Sequence, residues 1–348
     1  MQIFQHVSLA IGGITLFLLG LKFMSESMEN VAGNKMKKLL QGVTSNMFSG
    51  VITGAVTTAL IQSSIATNVI LIGFVSNGIL SFYSASAVIM GANIGTTITA
   101  QLVSLSGKQF FDVTAFGALI AFLGFILGFI KNKKVSAIGN IMVGFGMIFL
   151  GLDVVNGSVD YFKNYEEFKS IFLAPNDFTL FLNGLVITAV VQSSSAVTGV
   201  MIILASNGLL GFGDSIFLIL GANVGTCLAV IIASLDKNIS AKRTAFFNFA
   251  FNLVGALIFF IPLSIFKTEV VTFFTAFSSG VERAIANFHT LFNIMVTIIL
   301  LPILKPFTKF IEVIIRNDKK PFTKRIKAKK TIKIANNSES IKNTFIIN

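Results

Sequence analysis

From Leu39 to Gly107 the chain carries no charged residue, and from Phe178 to Leu235 it carries only Asp214. A helix needs about 20 consecutive apolar residues to cross a bilayer, and charge-poor apolar runs of that order recur along most of the sequence. Only 12% of the residues are charged, against about 25% in an ordinary soluble domain. The expected fold is therefore an all-α polytopic membrane protein. A β-barrel would alternate apolar and polar residues in segments of about ten, and no such alternation is present. The apolar run near the N-terminus has no Lys or Arg before Lys22 and no clear small-residue cleavage site, so it reads as a first membrane helix and not as a removable signal peptide.

The net charge of +12 is unevenly spread: from Lys305 onward there are 12 basic and 3 acidic residues, a net +9. A polybasic segment after a last membrane helix points to a cytoplasmic end facing anionic lipid, and not to nucleic acid. Cys227 is the single cysteine, and with His6 and His289 it leaves too few soft ligands for a transition-metal site. No disulfide framework and no cofactor are expected.

The chain repeats itself at a shift of 130 residues. Gln62-Ser63-Ser64 matches Gln192-Ser193-Ser194, Ser76-Asn77-Gly78 matches Ser206-Asn207-Gly208, and Gly91-Ala92-Asn93-Ile94-Gly95-Thr96 matches Gly221-Ala222-Asn223-Val224-Gly225-Thr226. Domains are expected at 1–130 (transmembrane repeat 1), 131–304 (transmembrane repeat 2 plus a final helix) and 305–348 (basic cytoplasmic tail). Basic clusters at Lys35/Lys37/Lys38, Lys131/Lys133/Lys134, Lys237/Lys242/Arg243 and in the tail should all be cytoplasmic. The first helix (about 8 to 28) then runs inward and its counterpart (about 135 to 155) outward, which makes the repeats inverted and the N-terminus external. The region Gly157 to Asp177 and the link around Lys108 fall on the outer side.

That count requires Thr44 to Val75 and Asn176 to Ala205 to enter and leave on one face, as re-entrant helical hairpins broken at Gln-Ser-Ser. Irregular backbone at membrane depth is tolerated where it lines a protein cavity. The segments at about 80 to 105 and 210 to 235 are expected to be transmembrane helices broken at Gly-Ala-Asn-x-Gly-Thr. Paired interruptions in matching positions of two halves point to a transporter's binding site. Its lining would offer hydroxyls and amides but no fixed cation, so a bound anion needs helix N-termini and co-bound metal ions to neutralise it. Hard oxygen ligands suit Na⁺.

These motifs resemble the type II sodium-dependent phosphate cotransporters, including bacterial members; many of those carry a long soluble regulatory domain after the membrane part, for which this tail is too short. The resemblance rests on Gln-Ser-Ser-Ser, complete at 192–195 and with Ile65 in fourth place at 62–65, each followed by Gly-Ala-Asn-x-Gly-Thr. Gly12-Gly13, the stretch Phe17 to Met24, and Phe288-His289-Thr290-Leu291-Phe292-Asn293 add to it. It implies Na⁺-coupled uptake of inorganic phosphate across the cell membrane by elevator-like alternating access. Carried over by position, Gln62, Ser63, Ser64, Gln192, Ser193, Ser194, Asn93 and Asn223 would bind phosphate, and Ser64, Thr96, Ser194, Ser195 and Thr226 would bind Na⁺. Ile65 removes one hydroxyl from that set and puts one ligand in question.

Other residues have two readings each. Asp214 could set the charge of a cation site or cap the following helix; His289 could be a packed hydrogen-bonding residue or a proton-sensitive element; Asn248 and Asn252 could reach the site or bond a neighbouring helix. Two other functions fit the pattern: a Na⁺-coupled carrier of another small anion, and a non-transporting membrane sensor or scaffold. An enzyme is the least expected class, because no nucleophile, base and orienting residue can be assembled from the motif regions.

Overall fold

A computed structural model describes residues 2–43, 46–106, 113–162 and 176–316. The acidic stretch around Glu166 and Glu167, the Lys108 link and the tail beyond residue 316 lie outside these described residues. Within them the chain is helical. The helices of the first half are α1 (Gln2–Gln41), α2 (Met47–Ile61), α3 (Ser64–Ser76), α4 (Phe82–Val103) and α5 (Val113–Gly128). Then come α6 (Lys133–Phe162), α7 (Asp177–Val191), α8 (Ser194–Ser206), α9 (Phe212–Ser234), α10 (Ile239–Ile265), α11 (Lys267–Ala276), α12 (Val281–Leu300) and α13 (Leu304–Ile314).

Six of these, α1, α4, α6, α9, α10 and α12, are long and apolar enough to cross a bilayer. By contrast, α2 and α7 have 15 residues and α3 and α8 have 13. At 1.5 Å per residue these reach only about 20 Å, short of the roughly 30 Å hydrocarbon core. The two segments expected as helical hairpins are thus pairs of half-length helices. α1 continues well past residue 28, through Lys35, Lys37 and Lys38 to Gln41; no proline interrupts it, and the helix runs on through Gly33-Asn34.

The expectation of broken helices at Gly-Ala-Asn-x-Gly-Thr is not met: α4 and α9 are continuous through both motifs. The glycines serve packing instead. A Cβ on Gly91 would lie 1.8 Å from the Val51 carbonyl oxygen and one on Gly95 would lie 2.4 Å from that of Ala55. The second half repeats this, with Gly221 against Phe181 at 1.9 Å and Gly225 against Leu185 at 2.3 Å. Contact positions rise together along both members, so α2 runs parallel to α4 and α7 parallel to α9. Each hairpin is fused backbone to backbone onto the helix that carries the second motif.

The counterparts α1 and α6 meet through Gly13 against Gly151 and Gly20 against Gly144, an order that makes them antiparallel. A further kinship, at a shift of 41 residues, links α10 and α12: Ala245, Phe247, Phe251 and Asn252 match Ala286, Phe288, Phe292 and Asn293. α10 packs on α3, α4 and α9, whereas α12 packs on α8, α9 and α4. One end of the bundle gathers Asn238, which donates to the Ser76 carbonyl, and Arg243, which bonds the Ile315 carbonyl and lies 3.9 Å from Glu312. There α13, the first turns of the segment expected as tail, seats Leu304 and Ile311 in the core.

Candidate functional site

The two hairpin tips are built alike. Each ends its first helix on a glutamine in the left-handed region, Gln62 at φ 59° and Gln192 at φ 57°, and these are the only non-glycine residues of positive φ among the described residues. Such backbone costs on the order of 1 kcal/mol and tends to collect at functional sites. The tip amide nitrogens return to the Thr58 and Thr188 carbonyls at 2.7 Å. The next residue reverses into extended backbone and caps the second helix: Ser63 Oγ accepts from Ala66 N at 3.1 Å, and Ser193 Oγ from Ala196 N at 3.2 Å. The caps leave Ser64 and Ser194 as first residues of α3 and α8, where unpaired N–H groups and the helix dipole favour negative charge.

Ser64 and Ser194 face one pocket, completed by Asn68 of α3, Asn93 and Thr96 of α4, Asn223, Thr226 and Cys227 of α9, and Asn248 and Asn252 of α10. Among the described residues, no ionisable acid or base other than the thiol lines it. Its free volume is about 10 Å³, the size of one water molecule. Thr96 and Thr226 each donate their hydroxyl hydrogen to a carbonyl of their own helix, at Ala92 and Ala222, at 3.0 Å. Their oxygen lone pairs are thereby left for the pocket, as a cation ligand requires. Buried polar atoms without partners remain at Asn68 Oδ1 and Asn223 Nδ2; such atoms are rare and each calls for a reason.

Of the residues expected to bind ligands, the structure brings together Ser64, Asn93, Thr96, Ser194, Asn223 and Thr226. It assigns others to different tasks. Gln62 Oε1 accepts from the Thr99 hydroxyl at 2.7 Å, and its amide nitrogen bonds the Ala59 carbonyl. Ser63 and Ser193 are caps, Gln192 sits exposed at its tip, and Ser195 is buried but not in the pocket wall. Ile65 packs beside Ile72, Val230, Ala241 and Ala245, so the fourth place of the first motif faces helix packing and its missing hydroxyl opens no gap in the wall. Asn248 and Asn252 do reach the site. Asn68 and Cys227 escaped the sequence reading, although Asn68 lies four residues after Ser64 and so shares its helix face.

Asp214 neither caps α9, whose N-cap is Gly211 with no side-chain bond, nor approaches the pocket. It accepts from Lys267 Nζ at 2.9 Å, and Asp177 does so at 3.0 Å, joining the starts of α7, α9 and α11. Lys267 also lies over the Phe217 ring, 5.2 Å from its centroid. Burial would lower the lysine pKa, but the two carboxylates outweigh it and hold the value above the ordinary one. His289 is buried, with Nε2 at 3.4 Å from Asn223 Oδ1. Among the described residues no three of His, Cys, Asp and Glu cluster as a metal site would require.

The family model described as Na+/Pi-cotransporter matches residues 16–157 and 166–297. The chain is 28% identical over 304 residues to "Uncharacterized protein YqeW" of Bacillus subtilis, covering 87% of this chain and 96% of that protein. It is 25% identical over 312 residues to "Putative inorganic phosphate export protein YjbB" of Escherichia coli, covering 88% of this chain but only 55% of that protein. Over 103 residues it is 36% identical to "Sodium-dependent phosphate transport protein 2A" of Rattus norvegicus, a match of 28% of this chain and 16% of the relative. No solved structure matches.

Proposed function

The chain belongs to the Na+/Pi-cotransporter family, and from that premise we propose that it is a secondary active transporter that moves inorganic phosphate together with Na⁺ into the cell. The observation that carries this reading is the pocket itself. The N-termini of α3 and α8 supply positive potential without a fixed cation, and oriented threonine and asparagine oxygens supply ligands for a hard monovalent ion. Each cargo then lowers the electrostatic cost of the other, and the affinity coupling is reciprocal. Phosphate, with four oxygens, exceeds a space of about 10 Å³, so loading requires the hairpins to part. Because α2 is fused to α4 and α7 to α9 along glycine seams, each hairpin would travel with its partner helix, in an elevator-like motion.

The antiparallel meeting of α1 and α6 supports inverted repeats. Gly13 and Gly20 match Gly144 and Gly151 at a shift of 131 residues, and the contacts pair Gly13 with Gly151 and Gly20 with Gly144. This is a self-complementary interface of the kind a two-fold axis produces, and an axis relating two antiparallel membrane helices lies in the membrane plane. The basic clusters then lie on the cytoplasmic side, with the C-terminus, and the N-terminus lies outside.

Radiolabelled phosphate uptake into proteoliposomes with imposed Na⁺ gradients tests the proposal. Uptake should require Na⁺ on the phosphate side, and Ser64→Ala or Ser194→Ala should weaken apparent phosphate affinity about tenfold or more, since a hydrogen bond to a charged group contributes about 1.5–3 kcal/mol. Phosphate binding indifferent to Na⁺ would sink it. A second reading, outward phosphate transport, is favoured by the word export in the name of YjbB. The direction of net flux under a physiological inward Na⁺ gradient separates the two.

A further inference from the structure

The two repeats place matching asparagines at the pocket, yet their amides are turned differently. Asn93 Nδ2 donates to the Ile89 carbonyl of its own helix at 2.9 Å, which leaves Oδ1 as the atom available to cargo. Asn223 does the reverse: its Oδ1 faces His289 Nε2 at 3.4 Å, and its Nδ2 is buried without a partner. His289 is 1% exposed and Asn223 5%, so neither can turn to solvent. The residue matching His289 on α10 is Asn248, whose Oδ1 instead accepts from Asn252.

Resting on the cotransport reading above, we propose that His289 is a positioning residue that makes the pocket chemically asymmetric. Its Nε2–H donates to Asn223 Oδ1 and so presents the Asn223 amide N–H to the phosphate, while Asn93, lacking a histidine, presents oxygen to the cation. Two neutral amides at equivalent positions thereby sort one anion from one cation without any charged side chain. Asn293 Nδ2 bonds the His289 carbonyl at 2.8 Å and helps fix the turn of α12 from which the imidazole projects.

The test is phosphate and Na⁺ kinetics in proteoliposomes for His289→Leu, His289→Gln and Asn93→Ala, each coupled to a phosphate-induced shift in thermal unfolding of the purified protein. His289→Leu should raise the phosphate KM about tenfold at saturating Na⁺ while leaving maximal flux, and Na⁺ half-saturation measured at saturating phosphate, near wild type. His289→Gln, which keeps an N–H donor close to the Nε2 position, should restore the KM to within about threefold. Asn93→Ala should raise Na⁺ half-saturation instead. Equal behaviour of the leucine and glutamine variants would reduce His289 to packing, and a Na⁺ defect with unchanged phosphate KM in His289→Leu would mean that the Asn223 oxygen, not its nitrogen, meets the cargo; either overturns the proposal. A wild-type protein with no response to phosphate in flux or unfolding overturns the cotransport reading itself, which the variant comparisons alone cannot do.

Discussion

Gly91→Ala should damage this protein far more than one methyl group suggests. The new Cβ would stand 1.8 Å from the Val51 carbonyl oxygen and 2.9 Å from Ala55 N, where real Cβ contacts do not fall below 3.0 Å. α2 and α4 must then separate by roughly 1.2 Å, the shortfall of the 1.8 Å approach to oxygen from that 3.0 Å limit, since the obstacle is backbone with no rotamer to escape into. Overpacking of this kind costs about 1–3 kcal/mol, offset by about 0.5–1 kcal/mol from replacing a helical glycine with alanine. The separation also moves Ser64 away from Asn93, two residues beyond Gly91, and a misplacement of about 1 Å can cost on the order of a hundredfold in activity where geometry matters. Gly221→Ala, 1.9 Å from the Phe181 oxygen, should behave alike. Gly73→Ala, in α3 with nothing within 4 Å of the added Cβ, is the control and should be neutral or slightly stabilising. Thermal unfolding followed by far-ultraviolet circular dichroism, with phosphate flux measured in parallel, reads both effects. If Gly91→Ala and Gly221→Ala unfold and transport like Gly73→Ala, the glycine seams do not hold the hairpins to their helices.

Three further outcomes follow from the same geometry. Ile65→Ser should lose about 1 kcal/mol by removing apolar surface from the cluster with Ile72, Val230, Ala241 and Ala245, and should leave the cooperativity of Na⁺ activation unchanged; a gained ion, seen as a steeper Na⁺ dependence, would show that this position does face cargo. Cys227, the single cysteine, has its Sγ at 3.5 Å from both the Asn223 and Asn248 carbonyl oxygens, so maleimide labelling measured by mass should be slow and should slow further when Na⁺ and phosphate are both present. Labelling at one rate under all conditions would remove it from the pocket wall. Lys267→Met should destabilise by about 1 kcal/mol, the ordinary range for partly exposed ion pairs. Because the folded lysine pKa is raised, the stabilisation is present below the unfolded value of about 10.4 and is lost as pH rises through the folded value; unfolding midpoints should fall in that alkaline window in the wild type and not in the methionine variant.

Hairpin tips were legible in the sequence because they are local. A glutamine that ends one half-helix and a serine that caps the next are written side by side at Gln62-Ser63 and again at Gln192-Ser193, and the repetition marks them as more than packing. The glycines of Gly-Ala-Asn-x-Gly-Thr misled for a physical reason: glycine weakens a helix and also permits close helix approach, and which property operates depends on whether a partner backbone is there. Val51 and Phe181 supply that partner, so α4 and α9 stay whole. Asp214 misled likewise, since Lys267, its ion-pair partner, is 53 residues away and no spacing rule connects them.

What the sequence by itself determined is the solvent, the repeated unit and the turn chemistry at the tips, all of which depend on composition or on residues within one helical turn of each other. Tertiary structure alone decided which polar atoms face the pocket. Ser64 and Ser194 line it while Ser63 and Ser193 cap helices, and Asn93 and Asn223 present opposite atoms, because an amide or hydroxyl takes its orientation from whichever partner the fold brings within hydrogen-bond reach. For Asn223 that partner is His289, which lies 66 residues away along the chain.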